Sequence, residues 1–399
     1  MINATVDDLF EKTVIERALK NVKNNKSFCG FDGVYAKDIM SFWQKEGYKI
    51  EEKVRNASYF PCIADAFEIK KRNGKKRNIT VPAVTDRVII RALHLVLQPQ
   101  YEKVFSNRSF AFRPGRSTLD AIKYLKNKMN SGYDCVIKTD IKSCYDTINH
   151  DVLISILKRD IPDSRICILL ERLIRAKYCK YNRVIRMTLG IMQGSTLSPL
   201  LANIYLNEFD QKMEKQGFQF IRYADDIIFL GRNNKEVSRA FVAAKKILKN
   251  ELHLMFNGDK TVKSLRRGID FLGYHIGRRS RYGYYKLFVG EDAKDNLMKY
   301  ALIARKAVCD TPENHLKWIG SFNRGWLNYF KYADKSELKK LSRLIDEKQR
   351  KFFIFRWAKQ SDFTMLRLTQ LMHITGGFVT MKNWLGELIG RLSLQRKGE

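Results

Sequence analysis

Apolar positions recur at helical spacing from the start of the chain. Leu9, Phe10, Val14, Ile15, Ala18, Leu19 and Val22 fall on one face and predict an amphipathic helix within residues 5–28. A turn-rich loop, Ser27 to Val34, follows, and a second helix is expected from Ala36 to Trp43. The pattern then changes to strand-like runs on either side of Asn73-Gly74, the strongest short hairpin signal, within Phe67 to Pro82. Helical spacing returns from Asp86 to Tyr101. A loop of aromatics and arginines, Phe105 to Thr118, leads into a helix through Lys128, with Ser117 or Thr118 as its cap. Cys135 to Ile141 reads as a buried strand ending on Asp140, and residues 151–178 read as helical. A Gly/Ser turn at Gln193-Gly194-Ser195 opens a helix through Leu206. Further on, a helix is expected over 236–250, a turn at Asn257-Gly258, and a strand hairpin around Phe271 to Tyr274. From about residue 291 the chain is helical and basic, with Trp318, Phe322, Trp326, Tyr329, Phe330 and Tyr332 among its aromatics. No repeat and no low-complexity linker interrupts the chain.

One stretch breaks the pattern. Gln219 to Leu230 is apolar, β-branched and aromatic except at its centre, where Asp225 and Asp226 are adjacent. It reads as two short strands with a tight turn at the acids. Adjacent carboxylates repel, and in a partly desolvated turn the repulsion is relieved by a divalent cation whose preferred ligands are oxygens. A solvated turn is the alternative, since Asp is common there. Asp140, also at a strand border, is the second acid that favours a metal site over a cap.

Composition narrows the field. The 399 residues include 45% hydrophobic residues and 7 prolines, enough for two or three folded domains. No apolar run approaches ~18 residues, and the acidic start lacks a signal pattern, so a cytoplasmic protein is expected. Seven scattered cysteines, with no CxxC pair, argue against a zinc module and a disulfide framework.

The net charge is +32. Residues 1–60 carry ten basic and nine acidic residues, so nearly all the excess lies beyond them. Such an excess points to a polyanion, nucleic acid first and an anionic membrane second. Six of the basic side chains crowd the Asn73-Gly74 hairpin tip, as Lys70, Lys71, Arg72, Lys75, Lys76 and Arg77. Phosphates would answer that crowding; a charged edge that resists aggregation is the other reading. Arg113 and Arg116, among aromatics, suit phosphate contact and base stacking. Together these parts suit two-metal phosphoryl transfer, by a polymerase or a nuclease. The hairpin cluster suits a triphosphate and favours the polymerase.

The motifs, in order over residues ~30–360, closely resemble reverse transcriptases of the group II intron lineage. Tyr223-Ala224-Asp225-Asp226 is the family's most diagnostic tetrapeptide. Ile69 to Arg77 resembles the fingers motif and Ser109 to Ser117 the next one. Gln193-Gly194-Ser195 with Ser198 to Asn203 is a further match. Gly30, Asp32 and Gly33 are similar to the N-terminal extension motif, and Gly325 to Phe330 to the thumb. Met192 and Lys70 stand where the family usually has proline.

The resemblance implies an α+β right-hand polymerase. Its parts would be an N-terminal helical extension (1–66), fingers (67–130), a palm with an antiparallel sheet (131–280, helical insertion about 150–185) and a helical thumb (281–399). By the same resemblance, Asp140 and Asp225 hold two Mg²⁺, with Asp226 beside them, the Ile141 carbonyl as a further ligand, and Mn²⁺ as an alternative metal. Lys71 and Arg77 grip the triphosphate, and Tyr145 is the gate against a ribose 2′-OH. Gln193 and Gly194 line the nucleotide and template side, and Lys260 protonates departing pyrophosphate. Phe271, Leu272, Gly273 and Tyr274 form the primer grip. With no Cys/His endonuclease module, the chain is most similar to compact defence-associated bacterial reverse transcriptases, which copy a partner structured noncoding RNA into cDNA from dNTPs. An intron maturase is the alternative. No membrane partner is expected, and the oligomer state is left open.

Overall fold

The computed structural model describes residues 2–25, 29–70, 74, 76–258, 260–265, 268–279, 284–300 and 311–357. The chain divides into two compact units, residues 1–121 with 135–262, and residues 122–134 with 263–399.

The first unit opens with two helices where one is expected, α1 (Val6–Phe10) and α2 (Lys12–Lys23). Thr5 and Asp8 form a reciprocal capping box on α1, and Glu11 leaves helical geometry at ψ 133° before α2 begins. A 3₁₀ turn over Ala36–Asp38 then leads into α3 (Ile39–Arg55), longer than its sequence pattern suggests. The basic hairpin is formed by β1 (Ala64–Lys70) and β2 (Lys76–Val81), paired antiparallel with Ile69 opposite Arg77.

Next come α4 (Val84–Tyr101) and α5 (Thr118–Asn130), which from Ile122 onward belongs to the second unit. Asp32 accepts from the Thr85 amide at 2.8 Å and hydroxyl at 3.0 Å, capping α4 from the N-terminal loop. Gly30 is required beside it, because a Cβ there would lie 2.8 Å from the Ala83 backbone. Ser117, not Thr118, caps α5, exchanging hydrogen bonds with Asp120.

β3 (Cys135–Asp140) and the one-turn α6 (Cys144–Thr147) precede α7 (His150–Asp160) and α8 (Ser164–Ile174). The continuous helix expected over 151–178 is broken at Pro162, where Asp163 caps α8. Its last residues are not helical. β4 (Lys177–Lys180) and β5 (Arg183–Arg186) form a hairpin, and β4 pairs in parallel with β1. The span expected as a helical insertion thus holds α7 and α8 and ends in strands that extend the basic-hairpin sheet to the order β2-β1-β4-β5. Tyr181 and Asn182, at φ 50° and 58°, make the turn, and Asn tolerates that conformation.

α9 (Ser198–Lys215), β6 (Gln219–Tyr223), β7 (Asp226–Gly231) and α10 (Asn234–Glu251) complete the unit. β7 lies between β6 and β3, antiparallel to both. It is buried from Ile227 to Gly231, because the sheet is covered and not half-solvated, which explains its unbroken apolar run. Phe209, Phe220, Phe229, Phe241 and Phe256 pack edge-on and stacked in the core.

The second unit holds β8 (Lys263–Ser264), β9 (Ile269–Phe271), β10 (Tyr274–Arg279), β11 (Tyr285–Val289), α11 (Glu291–Tyr300), α12 (Pro312–Tyr329) and α13 (Lys335–Trp357). Its sheet runs β11-β10-β9. Asn323 and Gln349, both buried, exchange side-chain hydrogen bonds at 3.0 and 3.1 Å and tie α12 to α13. Among the described residues no helix is long and apolar enough to cross a membrane.

Candidate active site

β3 ends where β7 begins. In their register Asp140 stands directly opposite Asp226. Directly opposed side chains share a face of the sheet, with Cβ atoms about 4.5–5.5 Å apart. Asp225 occupies the turn, and its carbonyl accepts from the Ile141 amide at 3.0 Å. One strand pair thus brings Asp140 and Ile141 beside the adjacent acids Asp225 and Asp226. Burial pushes the Asp226 carboxyl above the ordinary range, and the nearby charges of Asp225 and Asp140 push the same way, against the pull of Lys138.

The same end of β3 is fixed by the segment after α10. The Asn257 amide donates to the Asp140 carbonyl at 2.9 Å and its side chain to Asp140 Oδ2 at 3.2 Å, while the Lys142 amide donates to the Met255 carbonyl at 2.8 Å. The turn itself is strained, with Ala224 at φ 58°. Arg222 holds it from beneath. Its guanidinium donates to the Ala224 carbonyl at 3.1 Å, to Asn203 Oδ1 at 3.0 Å and to both oxygens of Asp210 at 2.5–3.0 Å. Asn203 in turn donates to the Ala111 carbonyl at 2.9 Å. Arg222 and Asp210 are both fully buried. No sequence motif singles out either residue, although a lone arginine in an apolar strand is itself a signal that a buried acid waits elsewhere.

Among the described residues no three His, Cys, Asp or Glu side chains are set to hold one ion. Mg²⁺ is usually held through one or two carboxylates and completed by water and substrate phosphates. The donor set here, all carboxylate oxygen and mutually repulsive, matches that chemistry.

Beyond the acids, a cavity of about 300 Å³ is lined by Tyr145, Asp146, Gln193, Asn78 and Thr80, among others. Gln193 donates to Asp146 at 2.6 Å, and its carbonyl accepts from the Thr80 amide at 2.8 Å, so its position depends on β2. Gly194 sits at φ 136°, where a Cβ would meet the Thr80 carbonyl at 2.6 Å. Tyr145, half-buried, has its hydroxyl pushed well up, chiefly by burial and further by Cys144 and Asp225. Arg77 is exposed on β2, and Lys260 is exposed in the loop after Gly258. Lys71 lies outside the described residues.

Three of the residues expected at the nucleic acid have buried side chains. Arg113 is buried, spent on Glu102 at 2.9 Å and the Ser106 and Ser109 carbonyls at 2.6 and 2.8 Å, over the Phe105 ring. It is an internal strut of its loop, because that loop is stitched to β6 through Phe110 and Arg222 and turns Arg113 inward. Arg116 remains partly open, bonded to Asn107, and Phe112 beside it is exposed. Phe271 and Tyr274 are fully buried, since the short strands β9 and β10 point both rings into the core of their unit. Only the turn between them, Leu272 and Gly273 at φ 49° and 78°, stays accessible, with the Leu272 carbonyl accepting from the Tyr329 hydroxyl at 2.8 Å.

The family model for reverse transcriptase (RNA-dependent DNA polymerase) matches residues 69–276, a span that contains Asp140, Asp225 and Asp226. The chain belongs to the reverse transcriptase family. It is 30% identical over 297 residues to protein YkfC of Escherichia coli K12, covering 64% of this chain and 77% of YkfC. It is 32% identical over 212 residues to the group II intron-encoded protein LtrA of Lactococcus lactis subsp. cremoris, covering 53% of this chain and 35% of LtrA, so it spans about a third of that relative. Among solved structures it matches a chain of a partial Cas6-RT-Cas1–Cas2 complex at 24% identity and a TM-score of 0.40, covering 62% of this chain and 42% of that one. The chain is thus a group II intron-like reverse transcriptase with the α+β fold of a right-hand polymerase, an RNA-directed DNA polymerase by family.

Proposed function

We propose that this reverse transcriptase copies a structured noncoding RNA partner into cDNA by two-metal nucleotidyl transfer, in defence against phage. The observation that carries the chemistry is the pairing of Asp140 with Asp226 beside the Asp225 turn. Asp140, Asp225 and Asp226, with the Ile141 carbonyl, would hold Mg²⁺, which when bound stabilises charge on the attacking and leaving oxygens. Arg77, with Lys71, neutralises the triphosphate, and Lys260 supplies a proton to the departing pyrophosphate. Tyr145 lies under the sugar and excludes an added 2′-hydroxyl by volume. Gln193, fixed by Asp146, sets the nucleotide side of the pocket. In this reading residues 1–66 are an N-terminal extension, 67–130 fingers, 131–280 palm and 281–399 thumb.

Extension of oligo(dT) on poly(rA) with dTTP and Mg²⁺ tests the site. The Asp225→Ala/Asp226→Ala protein should lose at least ~10³-fold in rate. Activity within tenfold of the parent would overturn the assignment. Tyr145→Ala should raise ribonucleotide use relative to deoxynucleotide by ~10-fold or more; an unchanged ratio removes Tyr145 from the gate.

The similarity to LtrA, named as an intron-encoded protein, supports a second reading as an intron maturase. Sequencing the RNA that copurifies separates the two: a short structured RNA supports the defence reading, and intron sequence supports the maturase.

A further inference from the structure

An open groove of about 570 Å³ lies on the first unit, on the face formed by residues 60–63, α8 and the β4–β5 hairpin. Pro61, Ile63 and Ile168 contribute its apolar lining. At its edge Phe60 is 70% exposed, with the Arg172 guanidinium 4.0 Å from its ring centre. Arg172 is itself anchored, donating to the Ala57 and Tyr59 carbonyls at 2.6 and 2.8 Å. The ring is thus a flat platform backed on one face by a fixed cation and open on the other.

The lining also carries an electrostatic conflict. Lys177 on β4 and Arg186 on β5 are direct cross-strand partners. Like charges so placed are destabilising. Both are exposed, and neither side chain makes a hydrogen bond or ion pair among the described residues. The one acid lining the groove, Glu171, is already engaged, with Lys158 at 3.0 Å and Arg175 at 3.3 Å. Two unanswered cations beside an open aromatic face call for a ligand that is both anionic and planar. A single nucleic-acid strand supplies both, stacking bases on rings while cations follow its phosphates. An acidic peptide would answer the charges and leave the platform bare.

We propose that this groove holds a single-stranded stretch of RNA, with a base stacked on Phe60 and phosphate between Lys177 and Arg186. The proposal rests on the reading that the partner is a structured RNA, and gives that RNA an anchoring point separate from the aspartates.

The test uses the full chain, a fluorescein-labelled oligo(U) RNA as probe, and an excess of a short blunt-ended RNA–DNA hybrid without runs of A to occupy the polymerase site. Phe60→Ala should weaken oligo(U) binding ~10-fold, the worth of one stacked base. Lys177→Glu should lower the slope of log affinity against log salt by about one. Extension of oligo(dT) should stay within twofold in both. Oligo(U) affinity and salt slope unchanged in both variants would overturn the proposal. So would a parent protein that holds no oligo(U) under these conditions, or that binds polyglutamate instead. Failure of the underlying reading is separate: it appears as the absence of any copurifying structured RNA while oligo(U) still binds through Phe60.

Discussion

Asp210 and Asp86 are both buried carboxylates in the first unit, 0% and 1% exposed, and the chain treats them in opposite ways. Asp210 lies on α9 beneath the Asp225 turn and receives three hydrogen bonds from the Arg222 guanidinium. Asp86 lies at the start of α4 and, among the described residues, receives only neutral donors, the Tyr59 hydroxyl at 2.5 Å and the Cys62 amide at 3.0 Å. Burial raises the carboxyl of each. For Asp210 the guanidinium opposes the rise directly; Asp86 is carried up to about 7. The difference teaches where this fold commits a buried charge. It does so under the aspartates, where Arg222 must also hold the Ala224 carbonyl, and it leaves the N-terminal hub to an acid that can shed its charge.

Removing the cation breaks the comparison most sharply. Arg222→Met leaves Asp210 buried without a counterion and the Ala224 carbonyl without its donor. The expected cost is about 3–5 kcal/mol, read as a fall in the urea midpoint. Arg222→Met/Asp210→Leu should recover most of that loss, because a well-packed apolar pair avoids the stranded charge. It should not recover the rate of DNA synthesis, since the strained turn remains without its support. A double variant as active as the parent would show that Arg222 serves stability alone. An Arg222→Met protein as stable as the parent would show that Asp210 is protonated and needs no partner.

How far such pairings could be read in advance follows from their range in sequence. The Asn73-Gly74 and Asp225-Asp226 hairpins were legible because turn chemistry and strand pattern are local. The α4 helix was legible from its periodicity. The β4–β5 hairpin was not: its strands are short and basic, and β4 is stabilised by parallel pairing to β1, more than a hundred residues earlier. Burial of individual loop residues was equally hidden. Arg113 reads as a phosphate ligand until Glu102 and two carbonyls enclose it. Phe271 and Tyr274 read as a nucleic-acid surface until β9 and β10 turn both rings inward. The acids themselves were visible, but their assembly depended on the register that sets Asp140 against Asp226.

The other side of the comparison carries a smaller, pH-dependent effect. In the folded chain Asp86 keeps its proton up to about pH 7, under burial and the charge of Asp32, opposed by its two donors and by Arg87. In the unfolded chain it ionises near about 4. Folding therefore takes up a proton between those values, and stability falls as pH rises across the window. The contribution is fully present below the unfolded value and is lost as pH climbs through about 7. Asp86→Asn cannot titrate, yet its side-chain oxygen can still accept from Tyr59. It should therefore flatten the decline, so that the variant gains on the parent when urea midpoints at pH 8 are compared with those at pH 5. An equal offset at both pH values would mean that Asp86 is ionised throughout and that its neutral partners suffice to hold a buried charge.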